Sequence, residues 1–357
     1  MRKRTKKIIL GFSKILTGIV ILFLAVLVLF TIREYRPKQK EKIKISGKSP
    51  KTIGKDQEIS VLTWNVGYGA LSETEDFFMD GGKNVRPEDA SLVKSNVQAM
   101  KKVLKKSQAQ VVFLQEVDQN SKRSYYYNEV KAFSDGWNGT FAYARNFYCD
   151  YIPYPFPTIG KVDGGLVLLS QFANVGDAQR IALPTPFSWP IRTCQLKRCL
   201  LVERMPIKGT DRQVVFVNLH LEAYDDGEGK VEQTKRLAEV LKKEYENGNY
   251  VIAGGDFNQT FEGLDAEKYP VWNDENFQAG KLEESVFDSD WQFVADDTLP
   301  TCRLLNKPYD RGDSKTQFYV IDGFILSPNI ELKEIKVLDE DFKNSDHNPV
   351  QIKVKLK

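Results

Sequence analysis

The sequence predicts an α/β domain carried behind one membrane-spanning helix, and three observations predict it. Residues 15–32 are 18 consecutive uncharged, mainly apolar residues. Beyond residue 58, short runs rich in β-branched and aromatic residues alternate with stretches whose apolar residues recur every three or four positions. The conspicuous polar clusters fall where those short runs end.

The chain opens with Arg2, Lys3, Arg4, Lys6 and Lys7, and the apolar run extends back towards Ile8 with Lys14 as its only charge. About 20 helical residues at roughly 1.5 Å each cover a hydrocarbon core of roughly 30 Å, so this run can span a bilayer. A cleavable signal peptide would have a shorter apolar region and a small-x-small site. Phe30-Thr31-Ile32-Arg33-Glu34-Tyr35 follows instead, which favours an uncleaved anchor. Basic residues flank both ends, with Arg33, Arg36, Lys38, Lys40, Lys42 and Lys44 on the far side, so the positive-inside rule nearly cancels. A short basic amino terminus before a long domain is nonetheless how a signal anchor looks. It predicts a single-pass cell-membrane protein with a cytoplasmic tail and anchor over 1–35 and an extracytoplasmic domain. Residues 36–57, Lys-rich and broken by Pro37, Gly47, Pro50 and Gly54, read as a flexible basic tether, either solvated or held against anionic headgroups.

The domain is expected over 58–357, beginning with a strand at Ile59–Trp64. Pro87-Glu88-Asp89 starts a helix whose apolar residues Val93, Val97, Met100, Val103 and Leu104 share one face, with acids in the first turn. Val111–Leu114 reads as a buried strand and Val214–Val217 as another. A helix from about Val231 to Tyr245 places Leu237, Ala238, Leu241 and Tyr245 together before a stop at Gly248. Tyr250–Ala253 and Gln317–Leu326 are further strands. In Gln351–Leu356, Ile352, Val354 and Leu356 alternate with Lys353 and Lys355, the pattern of a half-solvated edge strand.

Charge narrows the function. Residues 1–50 hold 13 of the 51 Lys and Arg but only 2 of the 48 Asp and Glu, so the remainder carries a formal −8 beneath an overall +3. A broad basic nucleic-acid platform is disfavoured, although a small basic patch is compatible with that balance. The four cysteines, at 149, 194, 199 and 302, lack zinc spacing. Free buried thiols are the expectation, and a Cys194–Cys199 bridge is the alternative in an oxidising compartment.

The two histidines of the chain both lie among carboxylates and amides, in Asn218-Leu219-His220-Leu221-Glu222 and Ser345-Asp346-His347-Asn348-Pro349. An imidazole there can move protons near neutral pH or bind an oxyanion. Trp64-Asn65, Gln115-Glu116 and Gly254-Gly255-Asp256-Phe257-Asn258 also follow strand-like runs, and strand-end loops are where α/β proteins assemble sites. Each cluster alone has a dull reading as a cap or turn. Together, Glu116, Asp256 and Asp346 with Asn65 and Asn258 offer hard oxygen ligands and no thiolate, which suits Mg²⁺, or Mn²⁺ as a substitute. Asp322 is available to orient an imidazole.

Six ordered motifs now carry a resemblance. Thr63-Trp64-Asn65, Leu114-Gln115-Glu116-Val117, Asn218-Leu219-His220-Leu221, Gly255-Asp256-Phe257-Asn258, Ile321-Asp322-Gly323-Phe324 and Ser345 to Pro349 resemble those of the endonuclease/exonuclease/phosphatase superfamily over about residues 59–356. The resemblance implies a four-layer α/β sandwich, two mixed sheets flanked by helices, and Mg²⁺-dependent phosphoester hydrolysis. Glu116 resembles the main metal carboxylate, with Asn65 and Asp346 in the metal site. Asp256 resembles the residue that positions or deprotonates the attacking water, and Asn258 its phosphate-contacting companion. His347 matches the histidine at the scissile phosphate, Asp322 its orienting partner, and His220 the second histidine of sphingomyelinase-like and deoxyribonuclease-like members.

Such members act on nucleic acids, lipids and small phosphates, so the resemblance does not fix the substrate. The anchor, the net acidity and the likeness of Gly164–Ser170 and Asn218–Ala223 to the sphingomyelinase-like branch favour a phospholipid headgroup or small phosphate ester. An extracellular nuclease is the alternative, and an inactive binding module a more distant one. No protein partner is expected. The aromatic stretch Asn146–Phe156 is suited to a pocket, a membrane surface or plain core packing.

Overall fold

The computed structural model describes residues 2–225, 227–265, 267–272 and 276–357. Its first element is helix α1 (Arg2–Arg33), of which Thr5–Arg33 is long and apolar enough to cross a membrane. Two short strands follow, β1 (Lys40–Ile43) and β2 (Ser46–Gly47), and then β3 (Ile59–Asn65). Helix α2 (Ala90–Ser107) leads to β4 (Val111–Asp118), and the short α3 (Glu129–Ser134) to the hairpin of β5 (Thr140–Ile152) and β6 (Gly160–Ser170). Next come β7 (Ala178–Ala182), β8 (Cys199–Pro206), β9 (Gln213–His220), α4 (Glu228–Glu246) and β10 (Tyr250–Asp256). The small strands β11 (Gln259–Thr260), β12 (Gly280–Lys281), β13 (Gln292–Val294), β14 (Cys302–Arg303) and β15 (Phe318–Tyr319) precede β16 (Asp322–Leu326), β17 (Ile330–Val337) and β18 (Val350–Leu356).

These strands build two mixed seven-stranded sheets, ordered β1-β7-β8-β9-β10-β16-β13 and β17-β18-β3-β4-β6-β5-β2. Each has one parallel pair, β9 with β10 and β3 with β4, and the crossover between the paired strands is the long helix α4 or α2. Period-two alternation sends Val111 and Phe113 of β4, and Val214 and Phe216 of β9, into a core between the sheets. The intervening residues face outward: Val215, Val217 and Leu219 pack under Leu237 and Leu241 of α4, and Val112 and Leu114 under Val97, Met100 and Leu104 of α2. The result is helix, sheet, sheet, helix: the four layers expected.

Several expectations are corrected. The supposed tether is stitched to the domain: β1 pairs with β7, β2 with β5, and Ile53 is fully buried in a bridge to Ile207. Ile43 and Ile45 pack against the inter-sheet core, an apolar contribution too short to show as a period among lysines. β18 is not an edge strand, because β17 lies outside it, and Lys353 is half-exposed through an ion pair to Glu334 at 2.6 Å. The expected strand Gln317–Leu326 is broken into β15 and β16, which belong to different sheets. The cysteines are free, as expected, and the alternative Cys194–Cys199 bridge is absent: the neighbour of Cys194 is Cys149.

Candidate active site

Register brings the polar clusters together. Asn65 ends β3 beside Gln115 of the parallel β4. Asp256 ends β10 opposite His220, the last residue of the parallel β9, and opposite Asp322, the first of the antiparallel β16. β18 runs antiparallel to β3 with Val350 opposite Thr63, so the segment leading into it, Asp346 to Pro349, reaches the same end of the sandwich. Five strands therefore deliver their polar ends to one place. Close approach there requires glycine: a Cβ on Gly255 would meet the Leu219 carbonyl oxygen at 1.9 Å.

Glu116 is not beyond its strand but inside it. β4 continues through a bulge between Leu114 and Val117, and Glu116 there adopts φ 54°, left-handed backbone rarely taken by a residue with a side chain. A bulge re-aims one side chain out of the alternation, and this one turns Glu116 into the cleft. Asn258 likewise has φ 51°; its backbone N–H donates to Asp256 Oδ1 (2.8 Å) and its side-chain amide to the Leu221 carbonyl (2.9 Å).

The side chains interlock. The Asn65 amide donates to Glu116 (3.1 Å) and to Asp256 (3.0 Å), while its oxygen accepts from the Gly67 N–H (3.0 Å). Asp322 holds His347 Nδ1 at 2.8 Å, leaving Nε2 directed at Asp256 (3.7 Å) and Asp346 (3.9 Å). His220 Nε2 lies 3.4 Å from the same Asp256 oxygen. Glu116, His220, Asp256, Asn258, Asp346 and His347 all line one cleft of about 1000 Å³; Asn65 and Asp322 stand behind it as supports. Asn65, expected in the metal site, thus bears on it through Glu116.

Electrostatics separate the two imidazoles. Burial, aided by Arg198, lowers His220 well below its ordinary value and keeps it neutral. Burial opposes charge on His347 too, but Asp322, Cys302, Asp256 and Asp346 together outweigh it and raise its pKa. Burial pushes the Asp346 carboxyl up to about 7, with Glu116 adding repulsion, and raises Asp256 as well. Crowded oxygen donors that resist ionisation without a cation are a donor set a hard divalent ion fits; Glu116 and Asp346 are placed to hold it. Cys302 also lies beside Asp346 and His347, but burial pushes its thiol up to about 12, so it stays neutral.

The sequence reading missed what supports and walls this centre. Gln115 donates to Asn218 Oδ1 (2.7 Å), and the Asn218 amide donates to the Leu114 and Val167 carbonyls (3.0 and 2.8 Å), a fully buried polar bridge between the sheets. Arg198 ties Glu222 (3.2 Å) to the His220 carbonyl (3.2 Å). Tyr68, with φ 40° in the tight turn Gly67–Gly69, lines the cleft under the Arg123 guanidinium, 3.7 Å from its ring centroid. Its flanking glycines were the available signal.

Comparison with known proteins fits this geometry. Residues 62–303 match the model of the Endonuclease/Exonuclease/phosphatase family, and the chain belongs to that family. No curated protein matches it. Among solved structures, it is similar to an endonuclease/exonuclease/phosphatase from Beutenbergia cavernae, with 17% identity, TM-score 0.56 and coverage of 84% of this chain and 72% of that one. A family protein from Bacteroides thetaiotaomicron aligns at 14% identity and TM-score 0.51 over 84% and 98% of the two chains. D. rerio TDP2 complexed with single strand DNA product aligns at 16% identity and TM-score 0.48 over 84% and 100%. The family match ends at residue 303, before Asp322, Asp346 and His347, which the fold nevertheless returns to the cluster.

Proposed function

We propose that the protein is a membrane-anchored, Mg²⁺-dependent phosphoesterase acting on a phospholipid headgroup or small phosphate ester. The observation that carries this reading is the buried chain Asp322–His347–Asp256 meeting Asn65 and Glu116 at the shared end of two sheets. Glu116 and Asp346 would hold a divalent cation, which would supply charge neutralisation at the phosphate oxygens.

The residues do the rest. Asp256 takes a proton from water as the water oxygen bonds to phosphorus. His347, fixed through Nδ1 by Asp322, donates from Nε2 to a phosphate oxygen; Asn258 and His220 contact the phosphate beside it. The phosphorus–ester oxygen bond then breaks opposite the incoming oxygen, the leaving oxygen takes a proton from solvent water, and Asp256 returns its proton to solvent. The products are an alcohol and a phosphate with one ester bond fewer. The formal charge of −8 over residues 51–357 speaks against a polyanionic substrate, and the filled polar positions against an inactive module.

The test uses the full chain in detergent micelles with bis-p-nitrophenyl phosphate, p-nitrophenyl phosphate, sphingomyelin, sugar phosphates and plasmid DNA, each with Mg²⁺ or EDTA. Metal-dependent turnover that disappears in His347→Ala is expected. Cleavage of plasmid alone would favour the nuclease alternative, and silence on every substrate would sink the hydrolase reading. An extracytoplasmic domain is the orientation we favour; protection from protease until cell lysis would reverse it.

A further inference from the structure

The anchor helix does more than carry the domain. Phe23, Val26, Leu27 and Phe30, spaced i, i+3, i+4 and i+7 on one face of α1, line the same cleft as Glu116 and His347. Leu27 and Phe30 are partly covered by the domain, whereas most of α1 is exposed. Polar contacts fix the lower end of the helix in place. Arg33 pairs with Asp150 at 2.6 Å, and the Trp189 indole donates to Thr31 at 2.9 Å. Glu34, its side chain only 3% exposed, is shared by Lys197 (3.2 Å) and Arg192 (3.4 Å).

Much of the remaining lining of the cleft is apolar too. Phe147 and Ile152 of β5, Tyr154 of the loop after it, Pro190 and, at the start of the 3₁₀ turn Ile191–Cys194, Ile191 line the cleft together with α1. Beside the end of the helix, Trp189 is 50% exposed and Ile191 61%; in the loop after β5, Tyr154 is 70% exposed and Phe156 95%. Exposed aromatic residues beside the end of a spanning helix are what a membrane–water interface selects. The stripe from Phe23 to Phe30 covers roughly 10 Å of helix axis, so with α1 inserted the mouth of the cleft lies within the adjoining leaflet.

We infer that α1 forms one wall of the substrate site, and that the substrate is a bilayer-resident lipid phosphoester: its acyl chain lies between the α1 stripe and the 147–154 and 190–191 wall, and its phosphate reaches Glu116 and His347. This rests on the phosphoesterase reading for its chemistry and deepens it by naming the substrate class. A water-soluble phosphate ester gains nothing from a wall of Phe23, Leu27 and Ile191. A lipid gains access without exposing its chain, because the apolar surface runs from the bilayer to the polar cluster. The strand pairing of β1 and β2 and the ion pairs of Arg33 and Glu34 then hold the wall in register with the catalytic end.

Two substrates with the same leaving group isolate the chain: dioleoylphosphatidyl-p-nitrophenol in dioleoylphosphatidylcholine nanodiscs holding the full-length protein, and soluble methyl p-nitrophenyl phosphate. In Leu27→Trp and in Ile191→Trp, the ratio of kcat/KM on the lipid to kcat/KM on the soluble diester falls at least tenfold. In Val28→Trp, on the opposite face of α1, the ratio stays within twofold of the parent. Ratios within twofold in both cleft variants would overturn the inference. An independent arm uses phosphatidylcholine with a terminal diazirine on one acyl chain. Crosslinks to residues 23–30 and 147–154 that weaken in Leu27→Trp support the acyl site, and crosslinks confined to the outer face of α1 refute it. Crosslinking without turnover of either diester separates loss of the hydrolase reading from loss of the acyl site.

Discussion

Replacing Asp322 by Asn tests whether the orientation of His347 is what the site depends on. The two groups meet at 2.8 Å, the side chains are 1% and 5% exposed, and among the described residues Nδ1 has no other hydrogen-bond partner. Asparagine keeps the volume but removes the charge, and its NH₂ can face Nδ1 as a donor, favouring the opposite tautomer. A hydrogen bond to a charged group contributes about 1.5–3 kcal/mol, and breaking a buried ion pair costs about 3–5. If about 3 kcal/mol of this is felt in the transition state, kcat falls by roughly 150-fold, since each 1.36 kcal/mol is a decade. The assay is kcat and KM on bis-p-nitrophenyl phosphate at saturating Mg²⁺, with thermal melting alongside. The expected signature is a loss of two to three decades in kcat with KM within a few-fold and a cooperative melt retained. A kcat within threefold of the parent in a folded protein would refute the assigned role of Asp322.

Three further outcomes follow from the geometry. Glu116→Gln keeps the hydrogen bond from Asn65 but removes a charge from the metal site, so Mg²⁺ affinity by titration calorimetry should fall at least tenfold; unchanged affinity would move the metal elsewhere. Glu203 is fully buried, both its carboxyl oxygens lack a partner among the described residues, and burial pushes it up to about 8. Its folded pKa exceeds its unfolded one, so the neutral acid's full stability is present below pH 4.5 and is lost as pH rises towards 8. At 1.36 kcal/mol per unit this loss reaches about 3 kcal/mol by pH 7, and Glu203→Met should flatten the melting temperature between pH 5 and 8; parallel parent and variant curves would refute it. A chain beginning at residue 51 loses β1 and β2 with the packing of Ile43 and Ile45, and should melt several degrees below one beginning at residue 38; equal melts would show that the strands are ornamental.

The fold and much of the site were legible because the signals were local. Each of Asn65, His220 and Asp256 sits at the end of an apolar run long enough to read, and the helical periods of α2 and α4 were visible between the strands that proved to be parallel. What stayed hidden depended on partners far away in sequence. The β1 strand Lys-Glu-Lys-Ile alternates, but four residues among lysines look like linker until β7 is known to lie beside them. Glu116 reads as a residue after a strand because the left-handed backbone of a bulge leaves no mark in residue type. Gln115 and Asn218 pair only because two sheets face each other, a relation 103 residues apart in the chain. The docking of α1 is the strongest case. A uniformly apolar span shows no face of its own, since lipid is a good solvent for every side of it. The stripe of Phe23, Val26, Leu27 and Phe30 is therefore defined solely by the protein wall it meets.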